Sequence, residues 1–366
     1  MNKEEFLSAL RRELLGLTPE ERKHWMDYYG ELIDDAVEDG LSETEAVGSL
    51  GTVSELAAQI RAETPALMPA EPAEGAARAI PCGEERNKLV FPLPAGLHSL
   101  SVEAAEYDVI VAPAEDGFGR VECPREESTH VDVTEADGLV WIRQETRNRS
   151  ILGGLFGSWN ARLMVYLPAG EFQELGIRTG SGDVSVRRDL GFQVARIRTA
   201  SGDIRYEGAA AILELTTASG DVTLSDLALH ALRIRTASGD MDLSSLAVQE
   251  TLRLESGSGD IELEDAAAGE MRLQTASGDI RGENVLARDR LCVLTASGDI
   301  ELDELDTGSG EISAVSGDVE LELLSDKEIR AASVSGDISV RGSLPGAGLL
   351  QVKTVSGDIR VCRSGR

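Results

Sequence analysis

Short runs of alternating apolar and polar residues flank a Ser-Gly-Asp triplet that recurs ten times between residues 181 and 358. The fourth residue before each serine is apolar in every copy, and so is the third residue after it, as Ile197 and Ile204 show around Ser201. This alternation predicts two short β-strands per repeat. Because the two apolar positions are offset by seven residues, an odd number, a straight strand would expose one of them. The chain is therefore predicted to turn a corner at each triplet.

The spacing of the triplets predicts a repeat fold. Successive serines lie between 18 and 21 residues apart. Units of this length cannot bury an apolar side alone, so they stack and share one core. We predict a mainly β fold, a parallel β-solenoid or β-helix of about 19-residue coils, with coils about 4.8 Å apart. A meander of antiparallel hairpins is the alternative, but it does not explain why equivalent positions carry the same residue types. The central glycine is expected to adopt the positive φ that sharp corners often need.

The region before the regular repeats carries a weaker form of the same pattern. Residues 100–111, LSVEAAEYDVIV, alternate like a repeat, with Asp108 at the corner position and an offset of 75 residues, about four periods, from Ser181. Asp137-Gly138 lies between alternating runs and predicts a hairpin turn. We predict degenerate capping coils over 89–175 and regular repeats over 176–362, together a solenoid domain over 89–366.

The first 62 residues predict a small α-helical bundle. Capping boxes begin at Thr18, Ser42 and Thr52, where a hydroxyl precedes a glutamate by three residues. Apolar residues recur between these signals at helical spacing. Residues 63–88 are rich in Pro, Ala and Glu without a period, which predicts a flexible linker.

Composition and charge narrow the classes of function. The formal net charge is −30, which opposes binding to nucleic acid or to anionic membranes. The four cysteines form no C-x-x-C pair, so neither a zinc site nor a disulfide framework is predicted. No run of 18 apolar residues and no apolar core of a signal peptide is found, so we expect no membrane span and a cytoplasmic location.

The repeated aspartates are the first candidates for chemistry. They would form one ridge, and neighbouring carboxylates would repel each other by about 1 kcal/mol even in water. Each carboxylate could accept backbone N–H groups at its corner, or the ridge could collect divalent cations such as Ca²⁺. We favour the structural interpretation and predict no metal and no cofactor. The aspartates are Asp183, Asp203, Asp221, Asp240, Asp260, Asp279, Asp299, Asp318, Asp337 and Asp358.

The outward positions of the predicted strands are sorted by charge. Bases predominate three and five residues before the serine, and acids predominate four and six residues after it. This pattern is explained if both charged faces are simply exposed to solvent. The functional alternative is that the charged faces pair laterally with another protein. A polysaccharide-active β-helix enzyme would need paired carboxylates beside aromatic residues that bind sugars, yet no aromatic residue follows Tyr206. The single histidines His98, His130 and His230 have no predicted catalytic partner. We predict that the chain is not an enzyme.

The N-terminal helical pattern resembles a known family. The pattern has a mixed-charge first helix, Pro19-Glu20-Glu21, the stretch YYGELIDDA and later EAV and LG motifs. These features are similar to those of HAAS domains, with Val53 where that family usually has proline. The resemblance implies association with a cytoplasmic regulatory partner, often PadR-like, and no catalysis. The residues expected to attract a basic partner surface are Asp34, Asp35, Glu38 and Asp39.

The repeats resemble a second family. Residues 97–362 are similar to the bacterial putative-adhesin β-strand-repeat family, a domain of unknown function built on TxSGDIxV units. That resemblance implies a β-solenoid and, by its name, surface adhesion. We interpret the chain as a non-enzymatic regulatory or scaffolding protein with a partner-binding head. An adhesin-like surface protein is the alternative, and a polysaccharide-active enzyme is a more distant one.

Overall fold

The computed structural model describes residues 3, 6, 78–85, 88–125, 129–146, 161–324, 328–342 and 349–363. The chain divides into two compact units, Met1–Ala76 and Ala77–Arg366. In the first unit, Lys3 and Phe6 are helical, and the rest of the predicted bundle lies outside the described residues. Across the described ranges, no helix is long and apolar enough to cross a bilayer.

The second unit consists of strands. They are β1 Arg78–Ala79, β2 Gly83–Glu85, β3 Lys88–Pro92, β4 Ser99–Ala104, β5 Asp108–Pro113, β6 Arg120–Pro124, β7 Thr129–Ala136, β8 Leu139–Thr146, β9 Arg162–Leu167, β10 Glu171–Thr179, β11 Val184–Val186, β12 Gly191–Thr199, β13 Ile204–Tyr206, β14 Ala209–Thr217, β15 Val222–Thr236, β16 Met241–Ser256, β17 Ile261–Thr275, β18 Ile280–Thr295, β19 Ile300–Thr307, β20 Ser309–Ala314, β21 Val319–Leu323, β22 Glu328–Ser335, β23 Ile338–Gly342, β24 Leu350–Ser356 and β25 Ile359–Arg363. The linker predicted over 63–88 therefore ends earlier than expected, because β1 pairs with β7 and β2 with β3.

Parallel pairing between successive coils confirms the predicted solenoid, which has about 9 turns of about 20 residues. Strands before the corner stack on one another, as Ile197 on Leu215 and Leu215 on Ile234. Strands after the corner stack in the same way, as Ile204 on Val222. We call these the first and the second sheet. No antiparallel pair joins any of the described strands from β10 to β25, so the meander alternative is wrong.

The coils that contain β15 to β19 also have a third extended segment. These five strands continue past the second sheet, bend, and run along a third row of parallel pairs such as Leu227 with Leu246. The bend falls on a residue with φ between 52° and 56°, a left-handed conformation that Asp and Asn tolerate better than other non-glycine residues. These bend residues are Asp226, Ser245, Asp265, Asn284 and Glu304.

The core is one continuous cluster of aliphatic side chains inside the coils. The inward positions predicted around Ser201 are buried, with Ile197 fully enclosed and Ile204 1% exposed. The same holds for the equivalent residues of the other coils as far as Ile338, and Tyr206 is the last aromatic residue of the chain. A narrow coil needs only Val, Ile, Leu and Met to fill it, which explains the low aromatic content.

The chain order and the spatial order differ at the N-terminal end of the solenoid. β4 lies between β8 and β10, and β5 lies between β9 and β11. The offset of about four periods is therefore misleading, because residues 100–111 form the coil next to Ser181. The intervening chain supplies an outer coil, β8 and β9, and the antiparallel strands β7 and β6 that cover its edges. Asp137 and Gly138 make the predicted β7–β8 hairpin turn, with φ of 49° and 77°.

Candidate functional site

The Ser-Gly-Asp corner is held by a buried threonine. In the coil of Ser238, the backbone N–H of Gly239 donates to Oγ1 of Thr236 at 2.8 Å. Where the hydroxyl donates in turn, it reaches the glycine carbonyl of the preceding coil, as Thr275 reaches Gly259 at 3.2 Å. The hydroxyl thus satisfies a buried donor within its own coil and an acceptor in the preceding coil, which removes the cost of burying either group unpaired.

The central glycine is required by close stacking, and the predicted positive φ is wrong for the triplets from Gly182 to Gly336. A Cβ atom on Gly239 would lie 1.8 Å from the carbonyl oxygen of Gly220 in the preceding coil. The other triplet glycines face the same obstacle at 1.8 to 2.2 Å, and no non-bonded carbon approaches an oxygen so closely. Glycine is therefore needed because two backbones touch.

The repeated aspartates form a hydrogen-bonded ladder that follows the corners from coil to coil. Oδ1 of each carboxylate accepts the backbone N–H of the equivalent aspartate in the next coil, as Asp240 accepts from Asp260 at 2.8 Å. The ten bonds measure between 2.7 and 3.1 Å and begin at Asp108, which accepts from Asp183. We call this set, Asp108 and the ten triplet aspartates, the aspartate ladder. Charge-assisted bonds to backbone N–H groups offset the repulsion along the ridge.

In some coils an arginine contacts Oδ2, the second carboxylate oxygen of a ladder aspartate. Arg281 donates to Oδ2 of Asp279 at 2.6 Å and lies 3.6 Å from Oδ2 of Asp260. Within the described part of the chain, no group of three or more His, Cys, Asp or Glu side chains is arranged to hold a metal ion. Since Oδ1 already accepts an N–H group, Oδ2 is the oxygen that a cation would reach without competing with the ladder. The absence of a calcium site stays a prediction.

An arginine-rich surface covers the outer side of the first sheet. The positions three and five residues before the serines from Ser181 to Ser277 hold seven arginines and only two glutamates, Glu214 and Glu255. We call this surface the arginine face. Its arginines are Arg178, Arg196, Arg198, Arg233, Arg235, Arg253 and Arg272.

Ion pairs on the arginine face join neighbouring coils. Arg196 contacts Glu174 at 2.5 Å and Glu214 at 2.9 Å, and Arg235 contacts Glu255 at 2.7 Å. Arg253 contacts the same Glu255. Burial raises the pKa of Glu255, but hydrogen bonds and charge from its two arginines outweigh burial and hold that pKa below its usual range.

Arg233 lies in the positive part of the arginine face. Burial, and then the charges of Arg235 and Arg253, lower the pKa of Arg233. Its buried Nε atom has no hydrogen-bond partner. These arginines outnumber the carboxylates they contact, so the face retains positive charge in a chain whose net charge is −30.

An acidic surface lies on the outer side of the second sheet. At the positions four and six residues after the serines from Ser238 to Ser316, eight carboxylates stand against one arginine, Arg281. We call this surface the acidic face. Its carboxylates are Asp242, Glu262, Glu264, Glu283, Glu301, Asp303, Glu320 and Glu322. A cleft of about 350 Å³ opens there beside Gly282, lined by carboxylates and Arg281 without histidine or aromatic side chains.

The three histidines of the solenoid make local contacts. His98 holds the β7–β8 turn, with Nε2 2.7 Å from the carbonyl oxygen of Asp137. His130 lies 2.9 Å from Asp132, and His230 lies 3.1 Å from Gln249. Nδ1 of His98 also lies 3.0 Å from Oγ of Ser99, so an imidazole and a hydroxyl do meet here, but Nε2 of the same ring contacts a backbone carbonyl and not a carboxylate.

The predicted partner-binding residues Asp34, Asp35, Glu38 and Asp39 lie outside the described residues. Within the solenoid, sequence analysis missed the left-handed bend. A signal for it exists, because a polar residue stands seven positions after the serine in each of the five coils from Ser219 to Ser297.

Comparisons with known proteins match the chain to two family profiles and to solved structures of low identity. The Toastrack DUF4097 family profile matches residues 97–257 and 249–365, and the HAAS profile matches residues 5–59. A candidate adhesin from Bacteroides fragilis is similar over 76% of this chain and 98% of its own, with 14% identity and a TM-score of 0.27. A candidate cell adhesion protein from Clostridium sporogenes covers 76% and 99%, with 8% identity and a TM-score of 0.22. A search of curated proteins finds no match.

Proposed function

This chain belongs to the Toastrack DUF4097 family, and from that premise we propose that it is a non-enzymatic scaffold that binds protein partners. The observation that carries the proposal is the separation of charge between the arginine face and the acidic face. Both faces repeat at the coil spacing, so each presents a regular row of like charges. Complementary rows of charge give binding specificity and speed association.

The arginine face is the principal binding surface in this proposal. Guanidinium groups bind carboxylates through two parallel hydrogen bonds and lose less hydration than ammonium groups do. Glu174, Glu214 and Glu255 neutralise only part of the positive charge, and Nε of Arg233 is already removed from water without a partner. A partner with a row of carboxylates would supply the missing acceptors.

The head supplies the regulatory link. The match of residues 5–59 to HAAS supports a protein partner at this end, and the partner in this proposal is a PadR-like regulator in the cytoplasm. Asp34, Asp35, Glu38 and Asp39 would attract a basic surface of that partner. We expect the chain in the cytoplasmic fraction of its host, and recovery mainly at the cell surface would favour the adhesin interpretation.

Affinity capture with the full chain tests the arginine face. The variant Arg235→Glu/Arg272→Glu should lose partners that the unchanged chain retains, and high salt should weaken the same partners. The matched control Arg187→Glu/Arg205→Glu changes the net charge equally but alters exposed residues outside the arginine face. Equal losses in both variants would show a general effect of charge and would contradict the proposal.

Titration with a PadR-like regulator from the same cell tests the head separately. Asp34→Lys/Asp35→Lys in the full chain should weaken binding, whereas Asp242→Lys/Glu262→Lys on the acidic face should leave it unchanged. Absence of binding to any such regulator would reject the regulatory role without affecting the arginine face.

A further inference from the structure

The two ends of the solenoid differ in how the edges of their outermost strands are paired. At the N-terminal end, β7 and β6 cover the edges of β8 and β9 by antiparallel pairing. At the C-terminal end, β24 pairs with β22 and β25 pairs with β23, and no other described strand pairs with either of them. Among the described residues the outer edges of β24 and β25 are unpaired, and the backbone N–H and C=O groups of such an edge act as a template for another strand.

Apolar side chains are exposed at this same end. Ile359 and Val361 on β25 are 46% and 44% exposed, whereas their counterparts Ile338 and Val340 are fully buried in the previous coil. Seven of the eight large hydrophobic residues exposed in the described chain lie between residues 315 and 361. Concentrated exposed apolar surface marks sites of association.

A column of valines extends the apolar surface along the last three corners. Val315, Val334 and Val355 are 50%, 49% and 82% exposed and occupy the position just before the triplet serine. The earlier coils carry alanine or glycine at this position. The apolar surface is therefore confined to the C-terminal end of the corner row.

The aspartate ladder also ends here with a free acceptor. Asp337 accepts the backbone N–H of Asp358 at 2.7 Å, as the earlier aspartates do in turn. Asp358 itself receives no such bond from any described residue, and its nearest described cation is Arg360 at 3.8 Å. The carboxylate of Asp358 thus stands where an additional extended chain would place an N–H group.

The charge of the last coil indicates which chemistry would cover it. Lys353 and Arg360 are exposed on the terminal strands β24 and β25. Inside the solenoid, bases pair with acids on the adjacent coil, as Arg341 does with Glu320. A second copy of this chain, joined end to end through the same coil, would bring Lys353 and Arg360 against their own equivalents, and like charges on facing strands destabilise a sheet. A segment carrying carboxylates would complement them.

We propose that the C-terminal end of the solenoid binds an extended segment of a partner protein in which apolar and acidic residues alternate. The segment adds a strand to β24 and, past a corner, a second strand to β25; its apolar residues cover Ile359 and Val361, and its carboxylates face Lys353 and Arg360. This is recognition by strand addition, in which backbone bonds give affinity and side-chain positions give specificity. The site needs neither the arginine face nor the head.

A synthetic peptide with the sequence of residues 309–323, SGEISAVSGDVELEL, is the probe, because it has the required alternation. Its fluorescence anisotropy is measured against the full-length chain. A control peptide carries lysine in place of Glu311, Glu320 and Glu322. In the register of the solenoid, Glu320 of the peptide continues the column of Arg360, and Glu311 lies diagonally opposite Lys353. The acidic peptide should bind about tenfold more tightly, since these two pairs change from attractive to repulsive in the control.

Charge reversal in the chain completes the test. Lys353→Glu/Arg360→Glu should reverse the preference, so that the lysine peptide binds more tightly than the acidic one. Arg187→Glu/Arg205→Glu is the matched control, because Arg205 stands in the same column as Arg360 but on a coil paired on both sides. This control should leave the preference of the unchanged chain intact.

Three results would overturn the proposal. The first is no binding of either peptide to a monomeric chain. The second is equal binding of both peptides, or an equal effect of the two double variants. The third is a dimer in sedimentation that Val355→Asp dissociates, since a second copy would then occupy the end. The arginine-face experiment uses other residues, so its outcome does not depend on this one.

Discussion

The backbone N–H of Asp183 donates a 3.1 Å hydrogen bond to Oδ1 of Asp108, although 75 residues separate them in the chain. The aspartate ladder thus crosses the point where chain order and spatial order differ. Asp108 follows Tyr107 and belongs to no Ser-Gly-Asp triplet. A residue therefore needs only a carboxylate at the corner to take part in the ladder. The serine and the glycine of the triplet are needed for other reasons.

Gly239→Ala should destabilise the solenoid strongly. The new Cβ atom would lie 1.8 Å from the carbonyl oxygen of Gly220, and backbone of the adjacent coil cannot yield without breaking the ladder. We expect a loss of about 3 kcal/mol or more in the free energy of unfolding, at the upper end of overpacking effects. Urea unfolding measures it. Gly170→Ala is the control, because a Cβ atom there meets nothing within 4 Å, and equal effects would contradict the close-stacking explanation.

These glycines show where sequence analysis succeeded and where it failed. The pattern located the corners at the Ser-Gly-Asp triplets, because buried and exposed positions alternate on both sides of each triplet. It gave the wrong reason for glycine, since a close approach between coils leaves no trace in the order of residues within one coil. Tyr107 occupies the glycine position where no earlier triplet stacks beneath it, which agrees with the stacking explanation.

The inverted order of the first coils was equally hidden. Residues 100–111 have the repeat pattern, but the pattern is the same whether a coil lies next to Ser181 or four coils away. The antiparallel pairing of β7 with β8 could be predicted from Asp137-Gly138, whereas the stacking of β8 on β4 depends on long-range packing.

Glu304→Gly should stabilise the solenoid. Glu304 adopts φ 52° at the left-handed bend, which costs a non-glycine residue about 1–2 kcal/mol. Glycine removes that cost but adds backbone entropy to the unfolded chain, so we expect a net gain of about 0.5–1 kcal/mol. Thermal unfolding provides the measurement.

Two controls bracket the Glu304 experiment. Glu301→Gly alters an extended position of the same strand and should destabilise by about 1 kcal/mol. Asn284→Gly should also destabilise, because Asn284 donates to Oδ1 of Asp265 at 2.6 Å. A loss of stability in Glu304→Gly matching that of Glu301→Gly would show that the bend stores no strain.

Glu255→Gln should reduce stability in a pH-dependent manner. The folded state holds the pKa of Glu255 below its usual value of 4.5, so its ion pairs with Arg235 and Arg253 stabilise the fold above that pH. The contribution is lost as the pH falls through the lower folded pKa. We expect a deficit of up to about 1 kcal/mol at pH 7 that disappears as the pH falls below the lowered folded pKa, as for partly exposed pairs.

Chemical denaturation across this pH range measures the deficit. The exposed Glu270 provides the control, since Glu270→Gln should change stability by less than about 0.5 kcal/mol at every pH. A constant deficit for Glu255→Gln from pH 3 to pH 7 would show that the carboxylate charge does not stabilise the arginine face.

The central claim is that the aspartates are structural acceptors and not calcium ligands, and Asp240 tests it most directly. Thermal unfolding of the unchanged chain, Asp240→Asn and Asp240→Ala is compared in chelator and in millimolar Ca²⁺. Asparagine keeps the oxygen that accepts from Asp260, so we expect a small change for Asp240→Asn and a loss of about 1–2 kcal/mol for Asp240→Ala, with no effect of Ca²⁺ on any of the three. A saturable stabilisation by Ca²⁺ that both variants weaken equally would contradict the claim, because a ligand of the native state must raise its stability.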